Sequence, residues 1–220
     1  MQLGKLAAVF CAAVTVITFG ASAGAVDGTI EINQAKVIAA GGFPYVINTA
    51  NTSYRLTGSL TVPALTNGIN VKAAGVTIDL NGFSIVGPVT PGSSTFGVNA
   101  SAKSEVTVEN GTVSGFGDAG VSTADNGIVR NVHAISNGIG IQCSSNACVI
   151  SGNTANNNTS YGVNCSGSGC LISGNTLFGN NTGIVTSDST TGYGGNVMKN
   201  STDVNGGTSL GHNLCSGVVC

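Results

Sequence analysis

The sequence predicts an all-β fold: a single-stranded right-handed parallel β-helix with a short N-terminal capping helix. Three observations carry this expectation. Two landmarks recur at a nearly constant step along the chain. The composition suits many short strands joined by tight turns. The cysteines behind the N-terminal segment fall into equally spaced pairs.

The landmarks come first. A Gly followed by Ile or Val stands at Gly68, Gly97, Gly120, Gly140, Gly162 and Gly183, with intervals of 29, 23, 20, 22 and 21 residues. An Asn after an alternating apolar run stands at Asn81, Asn110, Asn131, Asn153, Asn175 and Asn196, with intervals of 29, 21, 22, 22 and 21. The segment CSSNACVISGNTANN is echoed by CSGSGCLISGNTLFG. A unit of this length fits a leucine-rich repeat or one coil of a β-solenoid. Leu is too scarce for the first, and pieces such as Val76-Thr77-Ile78 and Val106-Thr107-Val108 alternate as strands do. Ile69, Val98, Val121, Ile141, Val163 and Ile184 are then expected to stack inside, one per coil. The repeated Asn is expected to hold a left-handed corner and to bond the Asn one coil above, as an interior ladder. Crossovers between parallel strands favour the right-handed coil. About six or seven coils are expected.

Composition agrees. The chain has 34 Gly, 41% hydrophobic residues, 7% charged residues and no Trp. Disordered chains are far more charged. No basic cluster or interleaved aromatic pattern exists to follow phosphates, so nucleic acid is not an expected partner. The N-terminus, MQLGKLAAVFCAAVTVITFGASAGA, has Lys5, an apolar run from Leu6 to Phe19 and small residues after it. This is the plan of a secretory signal, with Ala21-Ser22-Ala23 as the favoured cleavage site and Ala23-Gly24-Ala25 as the alternative. The run is shorter than the ~20 residues a membrane span needs. Phe10 stands where a lipoprotein signal before Cys11 wants a small residue. The protein is therefore expected to be exported, to the periplasm, cell surface or medium, with no membrane insertion of the mature chain.

The organisation that follows is a signal over residues 1–23, an N-terminal cap and first irregular coil over 24–67, regular coils over 68–201, and a C-terminal cap over 202–220. A short amphipathic helix is expected within Thr29–Ala40 and the irregular coil over Tyr45–Val62. Cys143/Cys148, Cys165/Cys170 and Cys215/Cys220 share one C-x-x-x-x-C spacing. In an exported chain these are expected to form disulfides. Within-coil and between-coil pairing are both geometrically open. The terminal pair, which has no repeat partner, favours the local bond. No metal and no cofactor is expected, since His133 and His212 lie far from any ligand cluster in sequence.

TIEINQAKVIAAGGFP, SYRLTGSLTVP, VTIDLNGFSIVGP and TGYGGNV resemble the secreted bacterial right-handed parallel β-helix repeat proteins of the pectate-lyase-like superfamily. The resemblance spans essentially the whole mature chain. It implies the fold, and it raises polysaccharide lyase or glycoside hydrolase activity as a hypothesis. The clustered acids (an NTD motif, a DD pair), the Gly-His-Gly and the Arg-x-Lys of the galacturonan hydrolases are missing, as is the DPHE of uronan epimerases. No group of carboxylates suits the calcium site of a pectate lyase.

Two candidate surfaces remain. Aligning VTID, VTVE and IVR stacks Asp79, Glu109 and Arg130 on one outer strip, with His133 three residues beyond. As a catalytic set these would supply a carboxylate pair and a general acid or base; as a surface feature they form a solvated strip with a Glu109–Arg130 pair. The second is a polar stripe, the residue after each coil-opening Gly-Ile/Val: Asn70, Asn99, Ser122, Gln142 and Asn164, ending at Val185. Pointing outward, it could meet the hydroxyls of an extended polysaccharide, with Tyr161, Phe96 and Phe116 near enough in sequence to stack on sugar rings. The leading expectation is a non-catalytic secreted or cell-surface protein that binds polysaccharide along this stripe. The alternatives are an enzyme of the superfamily and a structural envelope protein.

Overall fold

The structure is a computed structural model, which describes residues 28–89 and 92–220. The segment expected to be a secretory signal, residues 1–23, lies outside the described residues. The chain winds into a β-solenoid of about 9 turns, more than the six or seven expected. The surplus lies at the ends, where strands pair without the Gly-Ile/Val or Asn landmarks. Ile30–Ile32 already pairs in parallel with Ser53–Leu56, and Thr202–Asn205 still pairs with Thr182–Thr186.

One face is an eight-stranded parallel sheet, running from Tyr45–Ile47 through Ile69–Val71, Phe96–Asn99, Ala119–Thr123, Ile139–Cys143, Tyr161–Cys165 and Thr182–Thr186 to Thr202–Asn205. The other two faces belong to one sixteen-stranded sheet. In the middle coils its strands Thr107–Ser114 and Ile128–Ile135 run unbroken through both faces, bending at Asn110 and Asn131, which have φ of 59° and 53°. Later coils divide the same path into two pieces, such as Val149–Ser151 and Thr154–Asn156. Strands form because Val, Ile and Thr alternate with small polar residues, which suits a surface buried on one side.

Inside, Val98, Val121, Ile141, Val163 and Ile184 stack in register and are fully buried. Each such side chain contributes roughly 1.5–3 kcal/mol on leaving water. No coil could bury it alone. The coil-opening glycines sit where the backbone of the next coil comes close: a Cβ on Gly140 would stand 2.6 Å from the Gly162 carbonyl and 2.8 Å from Asn158 Nδ2.

The expected Asn column divides in two. Asn81, Asn110 and Asn131 take the left-handed corners and lie at the surface. From the next coil that position passes to Gly152, Gly174 and Gly195, and Asn153, Asn175 and Asn196 move one place on, into the core. There Val132 N–H donates to Asn153 Oδ1 at 2.9 Å, Asn153 N–H to Asn175 Oδ1 at 2.9 Å, Asn175 N–H to Asn196 Oδ1 at 2.9 Å and Asn196 N–H to Asn213 Oδ1 at 3.0 Å. Each Nδ2 returns a bond to a carbonyl of the preceding coil, as Asn175 does to Ile150 O at 3.0 Å. A second ladder, which the landmarks missed, runs Asn137, Asn158, Asn180, Asn200 and ends on Asp203. Its intervals of 21, 22 and 20 residues were there to be read.

The N-terminal helix is Gln34–Ala39, shorter than the span expected because Ile30–Ile32 is strand. The Asn33 side chain caps it by accepting from Lys36 N–H. Val37 is buried against the first coil, and the Gln34 amide bonds both N–H and C=O of Thr61, covering an edge that would otherwise invite pairing. At the other end Leu214–Cys215 turns back on Val218–Val219 as an antiparallel hairpin. The disulfides are all local: Cys143–Cys148, Cys165–Cys170 and Cys215–Cys220. The first two tie the end of a strand of the eight-stranded sheet across the corner to the start of the next strand, which belongs to the sixteen-stranded sheet. Their sulfurs are buried in the core, in a column that continues to Thr123 and Thr186.

Three outcomes are expected. Asn175→Ala strips partners from Asn153 N–H and Ile150 C=O in the core and should lower unfolding free energy by about 3 kcal/mol or more in chemical denaturation. Asn131→Gly, at an exposed left-handed corner, should stay within roughly 0.5 kcal/mol of the parent. Under graded reductant, alkylation followed by mass spectrometry should find Cys215 and Cys220 labelled first. Cys220 is exposed, and the other two bonds open only with the fold.

Candidate functional site

The strand register brings the polar stripe together as an outward column. Asn70 pairs with Asn99, Asn99 with Ser122, Ser122 with Gln142, Gln142 with Asn164, and Asn164 with Val185. Neighbours in such a column stand about 4.8 Å apart. Ser122 is an exception to the expectation of an exposed stripe: it is wholly buried, with its hydroxyl bonded to Gln142 Oε1 at 3.2 Å. Its short side chain does not rise past the flanking amides, so it offers nothing to a ligand.

The amides themselves are oriented. Asn99 Oδ1 accepts from Ser101 N–H at 3.2 Å and from the Ser101 hydroxyl. Asn70 Oδ1 accepts from Asn67 Nδ2, while Asn67 Oδ1 accepts from Phe96 N–H. In both chains a backbone N–H fixes which end of the amide is oxygen. The NH₂ groups of Asn70 and Asn99 are thus left without a partner among the described residues, and so is that of Gln142, whose Oε1 accepts from the Ser122 hydroxyl. The column presents donors.

A second column runs parallel to it on the same strands: Phe96, Ala119, Ile139, Tyr161 and Thr182 stand in register. Phe96, Ile139 and Tyr161 are partly exposed. Phe116, expected beside them, is instead in the core at 1% exposure. Its ring fills the space left by Gly87 and Gly97, close against both.

The charged strip is also in register, and longer than expected: Arg55, Asp79, Glu109 and Arg130 succeed one another on adjacent strands. Arg55 Nε donates to Asp79 Oδ2 at 3.2 Å and Arg130 Nε to Glu109 Oε2 at 2.5 Å. Asp79 Oδ1 is occupied as well, by Asn81 N–H at 2.9 Å and Asn110 Nδ2 at 3.1 Å. Two carboxylates that would repel are thereby each matched to a guanidinium. His133 lies beyond, exposed, in an open depression of about 220 Å³ lined by Gly82, Gly111, Thr112 and Asn131. Each carboxylate is engaged by a guanidinium on an adjacent strand. The arrangement does the work of a charge-neutral ladder.

The sulfurs of Cys143, Cys165 and Cys170 converge within 4.8 Å of one another. All three are committed to disulfides, so no thiolate is offered to a metal. No helix among the described residues is long and apolar enough to cross a membrane.

Compared with known proteins, residues 45–205 match the family model described as a right-handed β-helix region. The chain belongs to that family. No curated protein matches it, and no solved structure does. For this β-helix protein the family fixes the fold, and the chemistry has to be read from the faces.

One acid stood apart from both predicted surfaces. Asp118 lies just before the strand Ala119–Thr123, at the rim of a depression of about 200 Å³. Its carboxyl makes no hydrogen bond or ion pair with the described residues. Burial pushes its pKa above the ordinary carboxylate value. The free acid titrates lower in the unfolded chain, so the ionised group costs stability at neutral pH, and the cost is relieved as pH falls through the raised folded-state value. Asp118→Asn should therefore melt above the parent at pH 7. The difference should close below about pH 4, where both proteins are uncharged at this position; thermal melts at the two pH values check it.

Proposed function

We propose that this β-helix protein is exported and serves as a non-catalytic binding module for an extended polysaccharide, held along the eight-stranded sheet. The observation that carries the reading is the pair of parallel columns on that sheet. Unpartnered amide N–H groups of Asn70, Asn99 and Gln142 stand beside the partly exposed Phe96, Ile139 and Tyr161. Sugars ask for this combination, because a pyranose has oxygens at its rim and an apolar face that packs on an aromatic or branched side chain. Asn164, whose amide bonds no described residue, extends the donor column by one coil. The regular strand spacing suits a polymer better than a compact ligand, which would meet only one or two donors.

Export is supported by the three local disulfides, which persist in oxidising compartments, and by the signal-like N-terminus. A binding role is favoured over hydrolysis or lysis because Asp79 and Glu109 are each tied to an arginine.

The test is retention on immobilised neutral and acidic polysaccharides, with and without calcium, while reducing and unsaturated ends are assayed. The parent should be retained by at least one polymer without releasing products. Changing Asn99, Gln142 and Asn164 together to Ala should weaken retention about tenfold or more, at roughly 0.5–1.5 kcal/mol per lost hydrogen bond, while far-ultraviolet circular dichroism shows the fold retained at the assay temperature. Undiminished retention by the triple variant would remove the stripe from the account. Product release that Asp79→Asn abolishes would replace binding by catalysis.

A further inference from the structure

The eight-stranded sheet has a feature that the amide and apolar columns do not use. The depression beside Asp118 is formed where three coils meet: Gly117 and Asp118 from one, Gly138 and Ile139 from the next, Ser160 from the third, with Ser94 closing one side. Gly117 and Gly138 leave bare backbone at its floor. Ile139 belongs to the partly exposed apolar column, and Ser160 immediately precedes Tyr161. The depression and the proposed polymer path are therefore contiguous.

Its chemistry is selective. Among the described residues that line it, the only charged group is the Asp118 carboxylate, and that carboxylate has no donor among the described residues. A partly desolvated, unmatched acceptor is unfavourable in the empty protein and gains from any ligand that brings donors. A hard divalent cation needs six or more oxygens, commonly several carboxylates. One carboxylate among three serines, Ser93, Ser94 and Ser160, does not supply them. Sugar hydroxyls do fit: two neighbouring O–H groups can donate to the two carboxylate oxygens as charge-assisted bonds, while the ring's apolar face rests towards Ile139. The volume, about 200 Å³, lies below that of a site for a drug-sized ligand. It has room for one ring-sized unit rather than an oligomer.

We infer that the Asp118 depression is a subsite for a single uncharged sugar unit of the bound polysaccharide, and that it excludes a uronate at that position. The inference rests on the polysaccharide reading and makes it narrower. A uronate carboxylate here would face Asp118 with no cation among the lining residues to separate them. The amide column supplies donors for oxygens along the chain, and Asp118 supplies the acceptor that distinguishes one unit from its neighbours. The subsite therefore sets which polymer is taken, whereas the column sets how firmly it is held.

The experiment compares the parent, Asp118→Asn and the Asn99/Gln142/Asn164→Ala variant on a neutral glucan, a neutral galactan and polygalacturonate. Melting temperatures are recorded for each protein. The expected result is parent retention on a neutral polymer, weakened about tenfold in Asp118→Asn, with polygalacturonate bound better by that variant than by the parent. If Asp118→Asn retains the parent's affinity and preference while the triple variant loses binding, the subsite is refuted and the binding module stands. If the parent prefers polygalacturonate, the exclusion is refuted. If no polymer retains the parent, both the module and the subsite fall. Asp118→Ser, which keeps a small hydroxyl in the depression, guards against an effect of the Asn side chain itself and should weaken the neutral polymer likewise.

Discussion

Where a strand of one coil gives way to the next around a corner, a backbone N–H turns into the core with no strand opposite to receive it. In this solenoid an asparagine one coil further along supplies the acceptor, and its own N–H is answered by the following asparagine. Two such ladders, Asn153–Asn175–Asn196–Asn213 and Asn137–Asn158–Asn180–Asn200, run through the C-terminal half. No buried side-chain nitrogen or oxygen among the described residues lacks a partner. Much follows from this constraint. The coil-opening glycines are required because the second ladder and the neighbouring backbone occupy the space of a Cβ. Register is locked, because slipping one residue would put an apolar side chain where an amide is needed and leave buried groups unpaired. Asp203 ends the second ladder as a carboxylate, accepting from Asn200 through one oxygen and from the Ser216 hydroxyl through the other.

A locked interior gives the outer faces their regularity. Any residue type repeated at one offset becomes a column with the strand spacing, whatever its chemistry. The same geometry produces the Arg55–Asp79–Glu109–Arg130 strip and the amide column. Their neighbours make them different. Charges placed about 4.8 Å apart must be balanced along the column, so the strip spends its groups on itself. Amides carry both a donor and an acceptor, so they can satisfy one end within the protein and keep the other for a ligand.

The ends follow another rule. A solenoid has open strand edges wherever stacking stops, and each end is closed by whatever hydrogen bonds it can find. At the N-terminal end a helix lays Val37 on the first coil and uses the Gln34 amide as a substitute strand for Thr61. At the C-terminal end a two-strand hairpin folds back, fastened by Cys215–Cys220. The internal disulfides hold corners rather than ends, joining strands that belong to different faces.

The periodicity of Gly, Asn and β-branched residues by itself determined the solenoid, the stacking of Val98, Val121, Ile141, Val163 and Ile184, the alignment of Asp79 with Glu109 and Arg130, and the order of the amide column. These follow from a repeat length, which a sequence records directly. The tertiary structure alone decided matters that turn on one residue or on two coils at once. Asn131 and Asn153 share a landmark spacing, yet Arg130 pairs with Ser151, so Asn131 matches Gly152 and only Asn153 enters the core. Ser122 holds the same register as its neighbours and is nevertheless buried, since exposure depends on the length of the side chains above and below it. The choice of local over cross-coil disulfides was settled by how the corner folds, because the spacing allowed both. Asp118 looked like an isolated acid, because the residues that make its depression come from three coils about twenty residues apart in the chain. A repeat specifies what is stacked on what; the space left between stacked coils depends on every side chain that fills it.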